Sequence, residues 1–294
     1  MTFARPDHSI DLDMLPRMPA WVTSARAETL EDVAFLSGAA LNHLHLVLGR
    51  AEVPQALLRD RLALRAAEAC VAFSGRLERA GDLRDAVHLL RSGDLPGPAG
   101  ETCLAWRRAV ERPLSIKALG RALPTLEPGQ TATWLDAGQG APVTRAAMVL
   151  EVVLREAPRA DVAALILADA ALAQALGWDH LVPLLAAGLK RADLRKRGGD
   201  LRFACHRALI SSAVEAVRKA ADLARQAAHL KAVAPKLRAK GAGDAVEMFL
   251  TRDAVAPSAL PLPDRAARRL CDRLVELGAV RELTGRDTFR LYGV

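Results

Sequence analysis

Three arginines at helical spacing, Arg265, Arg268 and Arg269, stand in the stretch PDRAARRLCDRLVELGAV that begins at Pro263. A guanidinium offers five donors in a rigid fork, which suits phosphate oxygens and the O6 and N7 acceptors of guanine. A fourth, Arg286, lies in the turn sequence Thr284-Gly285-Arg286-Asp287, and Lys236, Arg238 and Lys240 crowd the segment just upstream. In that arrangement Arg265, Arg268 and Arg269 would enter the major groove of double-stranded DNA. Arg286 would reach the backbone or minor groove, and the lysine-rich segment would add phosphate contacts. The charge is regional. From Leu185 onward the chain carries 22 basic and 12 acidic residues, against 19 and 22 before it, so the net charge of +7 arises entirely in the last third. A polyanion partner is one reason to concentrate charge this way; a merely solvated basic surface is the other.

Residue types that could do other chemistry are present without the spacing it requires. His43 and His45 lie two apart on a predicted helix and point about 200° away from each other, which does not make a metal pair. The four cysteines, Cys70, Cys103, Cys205 and Cys271, are far apart with no CxxC pair, so neither a zinc site nor a disulfide framework is expected. Glycines at 93, 97 and 100 are not preceded by a strand or followed by Gly-Lys-Ser/Thr, which reads as a loop between helices rather than a phosphate cradle. Asp161 and Asp169 sit eight apart in a very apolar stretch, where capping or exposed positions are expected rather than an acid pair. With no GxSxG, HExxH, Walker or EF-hand pattern, the sequence predicts no enzyme activity, no cofactor and no metal.

The elements that must position these residues are helical. Apolar content of 51% with few aromatics, mostly Ala, Leu and Val, favours helices over strands. Residues 1–29 read as an extended N-terminal arm with Trp21 near its end. Helices are expected from Leu30 to Arg50, Gln55 to Ala80, Leu83 to Arg91, Glu101 to Arg112 and Leu114 to Leu123. Residues 124–142 read as the longest irregular stretch. Further helices follow from Val143 to Ala157, Asp161 to Leu176, His180 to Lys190 and Asp200 to Val233, the second of these central. The long last helix could cross the body or pair with a second copy as a homodimer. Pro235, Gly241 and Gly243 should then break the chain and leave a hinge, across which residues 241–294 could reorient on the body.

From residue 241 the order is a short helix from Asp244 to Leu250, one further turn before Leu260, the arginine-bearing helix, and two short strands around Thr284–Asp287. Projection at 100° per residue puts Ala266, Leu270, Leu274 and Leu277 on the packing face and Arg265, Arg268 and Arg269 opposite. The fold class expected is therefore all-α: a multi-helix body over 30–233 and a C-terminal winged helix-turn-helix over 241–294, whose hairpin is the one β structure. No apolar run is long enough to span a bilayer and the stretch MTFARPDHSIDLDM lacks the apolar core of a signal peptide, so a reducing cytoplasm is the expected home.

The stretch LVELGAVRELTGRDTFRLY resembles the wing-side half of the winged helices of bacterial regulators and of the C-termini of many Fic-family proteins. Pro257, Pro261 and Pro263 depart from that pattern where a second helix should lie. Ser74-Gly75-Arg76-Leu77-Glu78 is similar to the helix with which Fic proteins block their nucleotide site; the other reading is a small-residue crossing with Glu78 on the surface. The Fic catalytic histidine motif and its glycine-rich anion loop are absent. Two functions stay open: a DNA-binding regulator of transcription or of plasmid or mobile-element maintenance, and a Fic-derived inactive scaffold whose winged helix binds protein. Over its full length the chain resembles an uncharacterised bacterial family, through SGAALNHL, LRDAVHLL, GDLPGPAG, LADAALAQALGW, VAPKLRAKGAGDAV and DRAARRLCDRLVELGAVRELTGR. That resemblance implies no activity.

Overall fold

A computed structural model describes residues 15–24, 26–90, 93–237 and 241–294. Its α-helices are α1 (Ala20–Ser24), α2 (Leu30–Leu48), α3 (Gln55–Phe73), α4 (Ala80–His88), α5 (Gly97–Glu111), α6 (Ile116–Ala122), α7 (Pro128–Asp136), α8 (Pro142–Glu156), α9 (Asp161–Ala175), α10 (Leu185–Gly188), α11 (Gly198–Val233), α12 (Ala242–Thr251) and α13 (Asp264–Glu276). Among the described residues the one sheet is an antiparallel pair, β1 (Arg281–Glu282) and β2 (Tyr292–Gly293), with Arg281 opposite Gly293 and Glu282 opposite Tyr292. The protein is all-α, and none of its described helices is long and apolar enough to cross a membrane.

α9 is the axis of the body. Its sequence DVAALILADAALAQA is apolar on every side, and from Ala163 to Ala173 every residue is buried, so it is enclosed by neighbours rather than laid on a surface. α8 packs along it, α2 packs along α11, and α3 along α5. α11, about 54 Å long at 1.5 Å per residue, crosses the body and touches α1, α2, α3, α8, α10 and α12.

Three expectations need correction. α3 ends at Phe73 because Gly75 takes φ +82 and the Ser74 hydroxyl donates to the Val71 carbonyl at 2.7 Å. The Ser74–Glu78 stretch is therefore a loop, with Glu78 paired to Arg76 at the surface, and not a Fic-like blocking helix. Residues 124–142 hold α7, begun by Pro128 at its first turn; Trp134 is buried there and donates to Glu156 at 2.7 Å. Most of His180 to Lys190 is not helical: Pro183 brings no amide to a helical ladder, and Leu181, Val182 and Leu184 are buried in irregular chain before the single turn of α10.

α10 meets α11 through Gly188. A Cβ there would stand 2.7 Å from the Ala208 Cα and 2.6 Å from the Ser212 Oγ, too close for the backbone to yield locally. Gly188→Ala is expected to lower the unfolding free energy by about 1–3 kcal/mol. An unchanged urea midpoint would show that the two helices are not held at this distance.

Candidate nucleic-acid interface

The arginine-bearing segment folds as α13. Pro263, at φ −57, leads into the first turn, and Gly278 at φ +65 closes the last one while the Gly278 and Ala279 amides donate to Val275 and Leu274. The buried face is Ala267, Leu270, Cys271 and Leu274. It is centred about one residue away from the projected face, with Ala266 and Leu277 only half-buried, because Cys271 behaves as a small apolar residue.

Arg265, Arg268 and Arg269 are exposed, and no carboxylate among the described residues lies within ion-pair distance of them. They do not form one uniform stripe. Arg268 shares its face with Asp264 and Asp272, four residues to either side, and all three line a cleft of about 700 Å3 completed by Asp287, Phe289 and Arg290. Arg265 and Arg269 lie on the adjoining face, next to Arg273, which is neutralised by Glu276 at 3.0 Å. Positive charge least offset by acids is thus at Arg265 and Arg269.

Arg286 is placed differently from expectation. Its guanidinium grips Asp85 of α4 at 2.8 and 2.7 Å, and one of the same nitrogens donates to the Phe289 carbonyl at 3.2 Å. The side chain that was to reach out for a backbone or minor groove instead holds the β1–β2 loop against the body. Phe289 next to it has φ +54, a left-handed backbone that costs a non-glycine residue, and is 68% exposed. Lys236 is exposed in a short 3-10 turn (Ala234–Lys236); Arg238 and Lys240 lie outside the described residues.

How the last forty residues sit on the body was not legible from sequence. Between α12 and α13, Val255 bridges Tyr292, so that the β2 strand has a partner on each side. The preceding residue but one, Asp253, is 5% exposed and is the centre of an ionic clasp. Arg84 donates twice to its carboxylate, at 2.6 and 3.0 Å. Arg61 Nε lies 2.7 Å from Asp253 Oδ1, off the hydrogen-bonding direction, so this contact is ionic only. Arg61 Nη2 donates instead to the carbonyls of Asp253 at 3.2 Å and Val294 at 2.8 Å. Asp60 accepts from the Asp253 amide at 2.8 Å and from Arg107 at 3.1 Å.

Three arginines from α3, α4 and α5 thus face two aspartates. Burial by itself would raise the Asp253 pKa; hydrogen bonds from Arg84 and the charge of Arg61 outweigh it and hold the carboxyl below its ordinary range. Burial, and then Arg107, keep His88 below the ordinary imidazole range, so it adds little positive charge at neutral pH. The expected modest interface is therefore not what the structure contains: residues 253 and 294 are fastened to α3 and α4 through buried ions, while residues 238–240 of the expected hinge lie outside the described residues. The one sequence signal was the charged pair Asp60-Arg61 inside the apolar stretch QALLRDRLALRAA, which spacing rules pass over.

No described arrangement provides accessible nucleophilic chemistry. Ser37 Oγ lies 2.7 Å from His206 Nδ1, but this contact is buried between α2 and α11, Ser37 is wholly enclosed, and burial, then Arg202, hold the imidazole below its ordinary range with no described acid to raise it. His43 and His45 bond separately, to the Pro16 carbonyl and to Trp178. All four cysteines are buried and unpaired.

These features define an all-α protein whose C-terminal helix, carrying exposed arginines, and β-ladder are clamped to the helical body. A family model described as "Protein of unknown function (DUF1403)" matches residues 6–294, and the chain belongs to that family. No curated protein matches the sequence.

Proposed function

We propose that this is a non-enzymatic protein that binds double-stranded DNA through a C-terminal winged helix, as a regulator of transcription or of plasmid or mobile-element maintenance. The observation that carries the reading is the exposure of Arg265, Arg268 and Arg269 without a paired carboxylate among the described residues, on a helix whose opposite face is fully packed. The element order supports it: α12, the Val255 bridge, a 3-10 turn (Pro257–Ala259), α13, then β1 and β2. In this reading the 3-10 turn stands for a second helix that Pro257, Pro261 and Pro263 would have cut to one turn. Arg265 and Arg269 would make the principal groove contacts, and Lys236, Arg238 and Lys240 would add phosphate contacts from the neighbouring segment. Arg286, held by Asp85, would serve to fix the wing rather than to touch DNA.

Fluorescence anisotropy with a labelled duplex at about 50 and 200 mM salt tests this. Binding should weaken steeply with salt, and the Arg265→Ala/Arg268→Ala/Arg269→Ala protein should lose affinity and show a log–log salt slope shallower by roughly 3. Arg286→Ala should leave the affinity unaltered. Absence of binding at the lower salt would reject the reading. The second reading, a scaffold whose arginine face meets an acidic protein surface, is favoured by one observation: the clasp at Asp253 and the Arg286–Asp85 pair make this region a fixed platform.

A further inference from the structure

A cleft of about 370 Å3 lies far from α13, between the end of α2, the start of α3 and the loop after α9. Its polar walls are His45, Gln55, Arg59, Trp178, Asp179 and His180. Most of these are already fixed by bonds behind them. Trp178 Nε1 donates to His45 Nδ1 at 2.9 Å; an indole nitrogen can only donate, so the neutral His45 ring carries its proton on Nε2. Gln55 donates its amide to the Leu48 carbonyl at 2.7 Å. Arg59 donates through Nε to the Val110 carbonyl at 3.3 Å, close to the end of α5.

Arg59 is the anomaly. It is half-buried, and among the described residues its two terminal nitrogens have no acceptor and its charge has no carboxylate partner. Burial alone pulls its pKa down, with no acid opposing. His180 is likewise pulled down, by burial and then by Arg59; Asp179, exposed on the same loop, acts in the other direction. Capping α5 uses one donor of the five that a guanidinium has, and does not explain why two cation-forming side chains share a partly desolvated cleft. A bound anion would remove both costs at once, and a fork with its terminal pair unused matches two oxygens of one group.

We propose that this cleft binds a small molecule through an oxyanion, a carboxylate or a phosphate-like group, gripped by the terminal nitrogens of Arg59 and by His180, with Trp178 as the adjoining wall. The volume is within the range of small-ligand sites. The site is independent of the DNA-binding reading and stands or falls separately from it.

The test is a titration of the full chain with sulfate and, in a second series, with succinate, at constant ionic strength held by chloride. The readout is the indole N–H resonance of Trp178, assigned by its loss in Trp178→Phe. Saturable movement of that resonance with at least one of the two anions is expected, weakened at least tenfold in Arg59→Met and at least threefold in His180→Gln. Tighter succinate assigns a carboxylate ligand; tighter sulfate assigns a phosphate-like one. Should Arg59→Met fail to fold, Arg59→Lys keeps the charge without the fork and should still weaken binding at least threefold. No saturable movement with either anion, or movement unchanged in the Arg59 and His180 variants, would overturn the proposal.

Discussion

Asp253→Ala is expected to lower the unfolding free energy by about 3–5 kcal/mol, the cost of removing one partner from a buried ion cluster. The substitution takes away the carboxylate that Arg84 meets at 2.6 and 3.0 Å and Arg61 at 2.7 Å, while both guanidiniums stay enclosed. Asp60 would remain as the one carboxylate for Arg61, Arg84 and Arg107. Gly293, whose Cα hydrogen sits where a Cβ would be 2.6 Å from the Asp253 carbonyl, leaves the strand no room to shift and admit water. Because the pair is out of solvent, added salt should not rescue the variant. Asp85→Ala, which frees Arg286 from a pair about a third exposed, should cost no more than about 1 kcal/mol. Urea unfolding followed by circular dichroism separates these cases, and wild type should show one transition with no earlier release of residues 241–294. A loss at Asp253 no larger than that at Asp85, or a separate early transition, would mean that the clasp does not hold the C-terminal region.

The second large effect is one of pH. Asp169, in the middle of α9, is fully buried and accepts from the amides of Leu184 and Leu185 at 3.1 Å each, capping the start of α10. Burial pushes its pKa from an ordinary 3.8 up to about 8, against the pull of those two amides. The folded state therefore holds this proton more tightly than the unfolded chain does. The stabilisation is complete below the unfolded value near 3.8 and is lost as the pH climbs toward the folded value near 8. The difference corresponds to an upper bound of roughly 6 kcal/mol. Stability should fall between about pH 4 and 8, and Asp169→Asn, which keeps one acceptor and cannot ionise, should flatten that slope. Urea midpoints at several pH values decide it; parallel profiles for the two proteins would show that Asp169 does not titrate in this window.

What was legible in the sequence follows from the range of the forces involved. Helical periodicity is local, so α2, α8, α9 and α11 stand close to their expected positions, and the apolar density of α9 alone marked it as enclosed. α7 was missed because its cues are weak: Pro128 and Gly129 look like loop residues until Trp134 and Leu135 find a buried site between neighbours. On α13 the exposed side was legible while the core side was displaced, since an arginine declares itself and Cys271 does not. The placement of Arg286 and the whole of the Asp253 clasp were illegible. They depend on which residues tertiary folding brings together, and no spacing rule links Asp85 to Arg286 or Arg61 to Asp253. The same holds for the cleft at Arg59, whose interest lies in a guanidinium with no carboxylate within ion-pair distance among the described residues, a fact about space.

The clasp also orders events during synthesis. The side chains that Asp253 joins lie 169 to 193 positions earlier in the chain. At ribosomal rates of about 5–20 residues per second, Arg61 exists for roughly 10–40 s before its counter-charge has been made. During that interval the nascent α3–α5 unit holds three cations around Asp60 and cannot close on a neutral core. Completion of the fold is thus timed by the arrival of the C-terminal region, the same region proposed to meet DNA, so a chain able to present Arg265 and Arg269 on their fixed support is one whose interior has already been sealed.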